Sequence, residues 1–212
     1  RGISVSGLKI GVDNKLVTLA TFDRLARNFK EAGATLLGTD INPIDAIWQD
    51  RPSPPVPAPF RLDAATAGAT MSEKLQQLDA ALREADCTAI FLSRVDSVNW
   101  LTNIRGRDLP CTPVMQAYAL YHRENGLILV VEPGRVAAVM ADDLATDTSV
   151  VSLTDFAGLL SPEAGYASGT KVMIEAASLP KSLHDTLDGS AVELVRRACP
   201  VMHVKAVKNE AE

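Results

Sequence analysis

Ser93–Val114 reads SRVDSVNWLTNIRGRDLPCTPV, and the rest of the chain is organised around it. A short apolar run, Thr88–Leu92, leads in as a strand, and the aromatic-rich run Met115–His122 leads out. Between them the residues predict a helical turn carrying Trp100, a bend at Arg105-Gly106-Arg107-Asp108, and a loop held by Pro110 and Pro113. Two arginines and a carboxylate around one glycine, next to a tryptophan, cost side-chain freedom and desolvation. They mark a place where the fold or its function needs them.

Composition sets the outer bounds. A 212-residue chain that is 47% apolar carries enough material for a packed core, and its aromatic content of 5% leaves that core to Leu, Val, Ile and Ala. The net charge of -5 and the scatter of Lys and Arg, never more than two in a row, argue against nucleic acid as a partner. The apolar runs Leu127–Val131 and Val136–Ala141 fall far short of the roughly 18 residues that cross a membrane. No signal-peptide pattern opens the chain. Cys87, Cys111 and Cys199 are widely spaced and form no C-x-x-C, as expected of reduced thiols in the cytoplasm.

Taken in order, Leu8–Val12 is a strand candidate, and Thr18–Ala32 spaces Phe22, Leu25 and Phe29 along one helical face. Ala34–Gly38 returns as a strand, completing a unit the size of one crossover. Asn42-Pro43 starts a short helix to Trp48. Five prolines follow within Asp50–Pro59, too many for helix or central strand, so an extended connector is expected. Thr70 and Glu73 are spaced as a capping box. Leu75, Leu78, Leu82 and Ala85 form the apolar stripe of the next helix, with Glu73, Lys74 and Arg83 expected to face out. Gln116–His122 and Gly126–Glu132 form a hairpin through Asn125-Gly126. A helix over Val136–Leu144, a strand over Ser149–Leu153 and a short helix ending near Ser161-Pro162 come next. Lys171–Ala176 is a strand and Leu179–Leu187 a helix; Ala191–Ala198 is ambiguous, and Val201–Val207 reads as a final strand. Alternation at this spacing predicts an α/β fold, a mixed sheet with helices on both faces.

The stretch Val95–Asp108 with Pro113-Val114 resembles the middle domain of the cytosolic-type Xaa-Pro aminopeptidases of the creatinase and prolidase superfamily. Lys9–Asp13, Asn42–Trp48 and Asp50-Arg51-Pro52 are similar to the end of their first domain, and Lys205–Glu212 resembles the start of their catalytic domain. The resemblance implies creatinase N-terminal-like domains. Residues 1–50 would be the C-terminal part of a first one, 51–69 a proline-rich linker and 70–204 a second, with 205–212 beginning a catalytic domain. It further implies a parent enzyme that removes the N-terminal residue from peptides with proline second, using two divalent metal ions, usually manganese. This chain would form the non-catalytic region that shapes substrate access and subunit contacts in a cytoplasmic homodimer, with no nucleic-acid or membrane partner. The ligand set of two Asp, one His and two Glu would lie outside it. The other reading is a free-standing, catalytically inactive module of the same fold that binds peptides or proteins. Lys205–Glu212 reads as a helix start cut mid-turn, which favours the first.

The residue types leave little chemistry of the chain's own. Asp142-Asp143 is a paired carboxylate without a neighbouring His, and His122, His184 and His203 are scattered. No G-x-S-x-G, G-x-G-x-x-G or Walker sequence is present. Trp100, Asn103, Arg105 and Asp108 are the substrate-cleft candidates. For each a bland alternative stands beside the functional one: Trp100 as core, and Arg105 with Asp108 as a local pair bracing the bend. His203 is expected to be packed in core or at a sheet edge, and Cys111 to be an inert thiol.

Overall fold

The computed structural model describes residues 4–53, 56–140, 147–160 and 169–211. The chain forms two compact units, Arg1–Pro54 with Ala176–Thr186, and Pro55–Glu175 with Leu187–Glu212.

In the first unit, strands β1 (Lys9–Asp13) and β2 (Thr35–Thr39) pair in parallel, with Ile10 opposite Leu36. Helix α1 (Leu19–Glu31) makes the crossover, its start held by the Thr18 hydroxyl, which accepts the Thr21 amide at 3.3 Å. The segment from Ala176 closes on it through backbone bonds, Leu19 N to Leu179 O at 2.8 Å and Lys181 N to Val17 O at 2.9 Å. Helix α2 (Pro43–Ile47) starts at an Asn42 cap, as its Asn-Pro sequence predicts.

The second unit opens with the short strand β3 (Phe60–Arg61) and the single-turn helix α3 (Ala64–Ala67), both earlier than the Thr70 helix start suggested. Helix α4 (Met71–Glu84) carries the full capping box: Glu73 N donates to the Thr70 hydroxyl, and Thr70 N to the Glu73 carboxylate. Strand β4 (Ala89–Leu92) is buried at all four residues, as a continuous apolar run requires when both faces are covered. After it come α5 (Val95–Thr102), β5 (Ile104–Arg105), β6 (Tyr118–His122), β7 (Gly126–Val130), α6 (Pro133–Met140), β8 (Thr148–Val151), a 3₁₀ turn (Phe156–Leu160) and β9 (Lys171–Ile174). Helix α7 (Lys181–Asp188), strand β10 (Glu193–Arg196) and helix α8 (Pro200–Ala206) end the described chain.

The sheet runs β10-β9-β4-β6-β7-β8, with β6 antiparallel to both neighbours and the other pairs parallel. This is the expected mixed α/β architecture. Ile90 and Leu92 on one face of β4 pack with Leu78 and Leu82 of α4, Val98 and Leu101 of α5 and Val201 of α8. Phe91 on the other face meets Phe156 at 5.4 Å between ring centres. Gly126 sits at φ +80°, and a side chain there would strike the Asp147 carbonyl, so the hairpin turn depends on it.

Three expectations need correction. The expected strand Val201–Val207 is instead helix α8 as far as Ala206: Pro200 occupies the first turn, and Val201 turns inward beside Cys199 while His203 is exposed. His203 is therefore on the surface, neither core nor sheet edge. Ala191–Ala198 resolves into strand β10. Lys74 does not face out; it is 2% exposed. Asp142-Asp143, the end of the Val136–Leu144 helix and Ser161-Pro162 lie outside the described residues.

Candidate functional site

The anchor stretch is built as a set of side-chain clamps on backbone. Asn99, buried in α5, accepts the Met115 amide at 2.8 Å and donates to the carbonyls of Met115 and Val95, each at 2.7 Å. One amide therefore stitches the helix to the chain that returns into β6. Gly106 lies where a Cβ would come within 2.8 Å of Met115 Cα and Val114 O, so the Arg-Gly-Arg-Asp bend can pass under that returning chain only as glycine.

Trp100 and Asn103 belong to one corner. Asn103 ends α5 in the left-handed region at φ 57°, 3% exposed, and donates to Ala69 O at 2.9 Å. Its Oδ1 accepts from the Lys74 ammonium, which also donates to Trp100 O at 2.9 Å and lies 4.5 Å from the indole centre. A buried cation is tolerated when its donors are used and an aromatic face lies against it. Trp100 is 8% exposed and is among the residues that line a hollow of about 820 Å³. Glu73, Gln76, Gln77 and Ala80 of α4 line it too, together with Val207.

Asp108 belongs to a different corner. It accepts the Gln116 amide at 2.6 Å and pairs with Arg135 of α6, the two side chains being 5% and 11% exposed. Arg135 also donates to the Pro57 carbonyl at 3.3 Å. This cation borders a second hollow of about 420 Å³ at the carboxyl ends of β4, β7 and β8, walled by Val95, Tyr118, Val131 and Leu153. Burial pushes the Tyr118 phenol up from its ordinary pKa.

Arg105 donates to the carbonyls of Asn99 and Ile104, at the C-terminal end of α5 where a cation complements exposed carbonyls. The structure thus distributes the four cleft candidates. Trp100 and Asn103 share the Lys74 corner, Asp108 stands at the Arg135 corner, and Arg105 closes the helix between them in sequence. The carboxylate of the expected brace is engaged by Arg135.

Sequence reasoning missed Lys74, Asn99 and Arg135. Lys74 carried a signal, because Met71, Lys74, Leu78 and Leu82 fall on one helical face and all are buried. Arg135 had none: its partner is 27 residues away, across a hairpin.

Elsewhere the titratable groups serve structure. His122 is 5% exposed, and its Nδ1 accepts the amides of Glu124 and Asn125 at 3.2 Å each; burial lowers its pKa. Burial raises the thiols of Cys87 and Cys199, leaving them poor nucleophiles. Cys111 is exposed at φ 58°. Among the described residues no three of His, Cys, Asp and Glu gather as a metal-ligand group.

Comparison with known proteins gives a consistent answer. Residues 50–212 match the Creatinase/Prolidase N-terminal domain model. A probable Xaa-Pro aminopeptidase P of Aspergillus niger is 32% identical over 97% of this chain, which spans 34% of that protein. A probable Xaa-Pro aminopeptidase P of Ajellomyces capsulatus is 30% identical over 97% of the chain and 35% of its own length. Among solved structures, the X-prolyl aminopeptidase from Caenorhabditis elegans, a cytosolic enzyme with a di-nuclear active site, superposes with a TM-score of 0.78 at 21% identity. That likeness covers 97% of this chain and 34% of the other. The chain therefore spans about a third of the length of the relatives it matches.

Proposed function

The chain belongs to the Creatinase/Prolidase N-terminal domain family, and from that premise we propose that it is the non-catalytic N-terminal region of a longer Xaa-Pro aminopeptidase. In this reading the parent removes the N-terminal residue from peptides with proline second. Residues 1–212 wall the approach to its active site and contribute to contacts between subunits. The observation that carries the proposal is the alignment of nearly this whole chain with about a third of proteins named for that activity.

The parent's reaction would draw on a pair of divalent metal ions, manganese by preference, which activate water. The described residues do not fit such a pair, since no three of His, Cys, Asp and Glu gather among them. The remaining parts of the proposal are a cytoplasmic location and a homodimer. Trp100, Asn103, Arg105 and Asp108 enter as the frame of the two hollows. They hold the walls in place through bonds to neighbouring groups, and the walls meet the peptide.

The test is made in the parent, intact and with residues 1–212 removed. Metal content and circular dichroism establish that the remainder is folded. kcat/KM is then measured for Xaa-Pro peptides of two and ten residues. The expected result is a ratio of long to short substrate altered by about tenfold, about 1.4 kcal/mol of differential transition-state binding. An unchanged ratio in a folded, metal-loaded remainder overturns the access role. The second reading, a peptide-binding module, is favoured by one observation: a segment of the chain's own proline-rich connector sits at the mouth of the smaller hollow.

A further inference from the structure

The six-stranded sheet ends on β10, which pairs with β9; among the described residues no strand pairs with its other side. Backbone bonds fix which groups face that open side. Glu193 N donates to Thr170 O at 2.8 Å and Arg197 N to Ile174 O at 3.0 Å. A parallel ladder alternates, so Glu193, Val195 and Arg197 turn their backbone groups toward β9, and the N–H and C=O of Leu194 and Arg196 point outward. Side chains alternate too. Val195 packs against the core, and Glu193 and Arg197, on its face of the strand, are exposed.

An open row of donors and acceptors is a template for another strand, and folds usually block it with proline or with charge of one sign. Neither block is present. Ala191–Ala198 holds no proline, and its charges are of both signs, Glu193 before half-buried Leu194-Val195 and Arg196-Arg197 after.

We propose that β10 is an interface for a second copy of this chain, the two strands pairing antiparallel about a two-fold axis that passes between their Val195 residues. The proposal gives the subunit contacts of the proposed function a place, and rests on that reading only for its role in the parent. The pairing itself concerns this chain alone.

Symmetry and charge together select the register. A two-fold axis normal to the sheet keeps each face on its own side, so the axis must fall on a residue position. Centred on Val195, Leu194 lies opposite Arg196 of the second copy. These are the two residues whose backbone groups point outward, and the pairing forms four hydrogen bonds. The same register sets Glu193 opposite Arg197 of the second copy, twice, at the non-hydrogen-bonded positions where side chains come closest. Centring on Leu194 sets Glu193 opposite Val195 and makes no ion pair. Centring on Glu193 or on Arg196 sets a charge against its own copy, which repels. At the other end of the sheet, β8 (Thr148–Val151) carries no charge and offers no such complement.

The experiment is sedimentation equilibrium of the 212-residue chain at low salt, from about 10 μM to about 1 mM. The expected result is a monomer–dimer equilibrium with a Kd of about 0.1 mM, weakened several-fold by about 0.5 M NaCl. Glu193→Arg sets arginine opposite Arg197, and Arg197→Glu sets glutamate opposite Glu193. Each variant alone should be monomeric, with circular dichroism unchanged because both positions are exposed. Mixed in equal amounts, the two variants restore both ion pairs and should dimerise about as tightly as wild type. No peptide or metal enters the measurement, so its failure would leave the parent's assignment standing, and failure of that assignment would leave the pairing standing. The proposal is overturned if wild type stays monomeric at the highest concentration, if either single variant dimerises like wild type, or if the mixture stays monomeric.

Discussion

Lys74 and Arg135 are both cations withdrawn from water in the second unit, and the fold holds them in different ways. Lys74 is held by neutral oxygens and an indole face, and ties α4 to the end of α5, two helices of one core. Arg135 is held by a carboxylate, and ties α6 to the Arg-Gly-Arg-Asp loop and to the proline-rich connector, two segments outside the sheet. A compact ammonium can be enclosed by converging oxygens, whereas a planar guanidinium extends its donors in several directions and can bridge separate segments. The first arrangement joins two helices inside the core. The second joins a loop and a connector that lie outside the sheet.

The largest effect should come from breaking the Arg135 corner. Asp108→Ala leaves a nearly buried guanidinium without its carboxylate and frees the Gln116 amide. It should lower stability by about 3–5 kcal/mol in urea or guanidinium unfolding. A loss below about 1 kcal/mol would place the pair with ordinary surface bridges and undo the contrast.

Breaking the other corner should cost less. Lys74→Met keeps the aliphatic stem along Trp100 and removes the donor to Asn103 Oδ1 and Trp100 O, for an expected loss of about 1–3 kcal/mol. A variant as stable as wild type would show that the ammonium contributes no net stability there. Thr70→Ala removes the capping box from the helix that carries Lys74 and should cost about 1 kcal/mol, read as a small drop in Tm.

The smallest effect is one of pH, at neither corner. Neutral His122 accepts two turn amides, and its pKa is depressed in the folded chain. The unfolded chain, with histidine near about 6.5, therefore binds more protons just below that pH. The contribution is complete above about pH 6.5 and declines as the pH falls through the depressed folded value. Asp79 and Asp96 act in a lower window. Burial would raise their pKa values, but Arg123 and Arg83 beside Asp79, and Lys205 and Arg94 beside Asp96, hold them below the ordinary carboxylate value. Urea midpoints at pH 7.5 and 5.5 should fall for wild type and change less for His122→Gln.

These corners also mark how far the sequence could be read. The capping box, the Asn42 start, the buried strand β4 and the hairpin at Gly126 were legible, because each depends on residues close together in the chain. Val201–Val207 misled because a short run of β-branched residues fits strand or helix by period alone, and only Pro200 spoke for helix. Lys74 misled through its charge, although its position on the stripe of Met71, Leu78 and Leu82 placed it inside. The partners of Asn103 and Asp108 were not legible, since the Lys74–Asn103 and Asp108–Arg135 contacts join residues 29 and 27 apart.

The central claim is that these 212 residues are a non-catalytic part of a peptidase, and hydrolysis tests it most directly. The chain alone and the full polypeptide from the same reading frame are each supplied with Mn²⁺ and an Xaa-Pro peptide, and release of the N-terminal residue is followed. The account predicts turnover by the full polypeptide and none above background by the chain alone. Turnover by the purified chain, or its absence in a folded, metal-loaded full polypeptide, would contradict it.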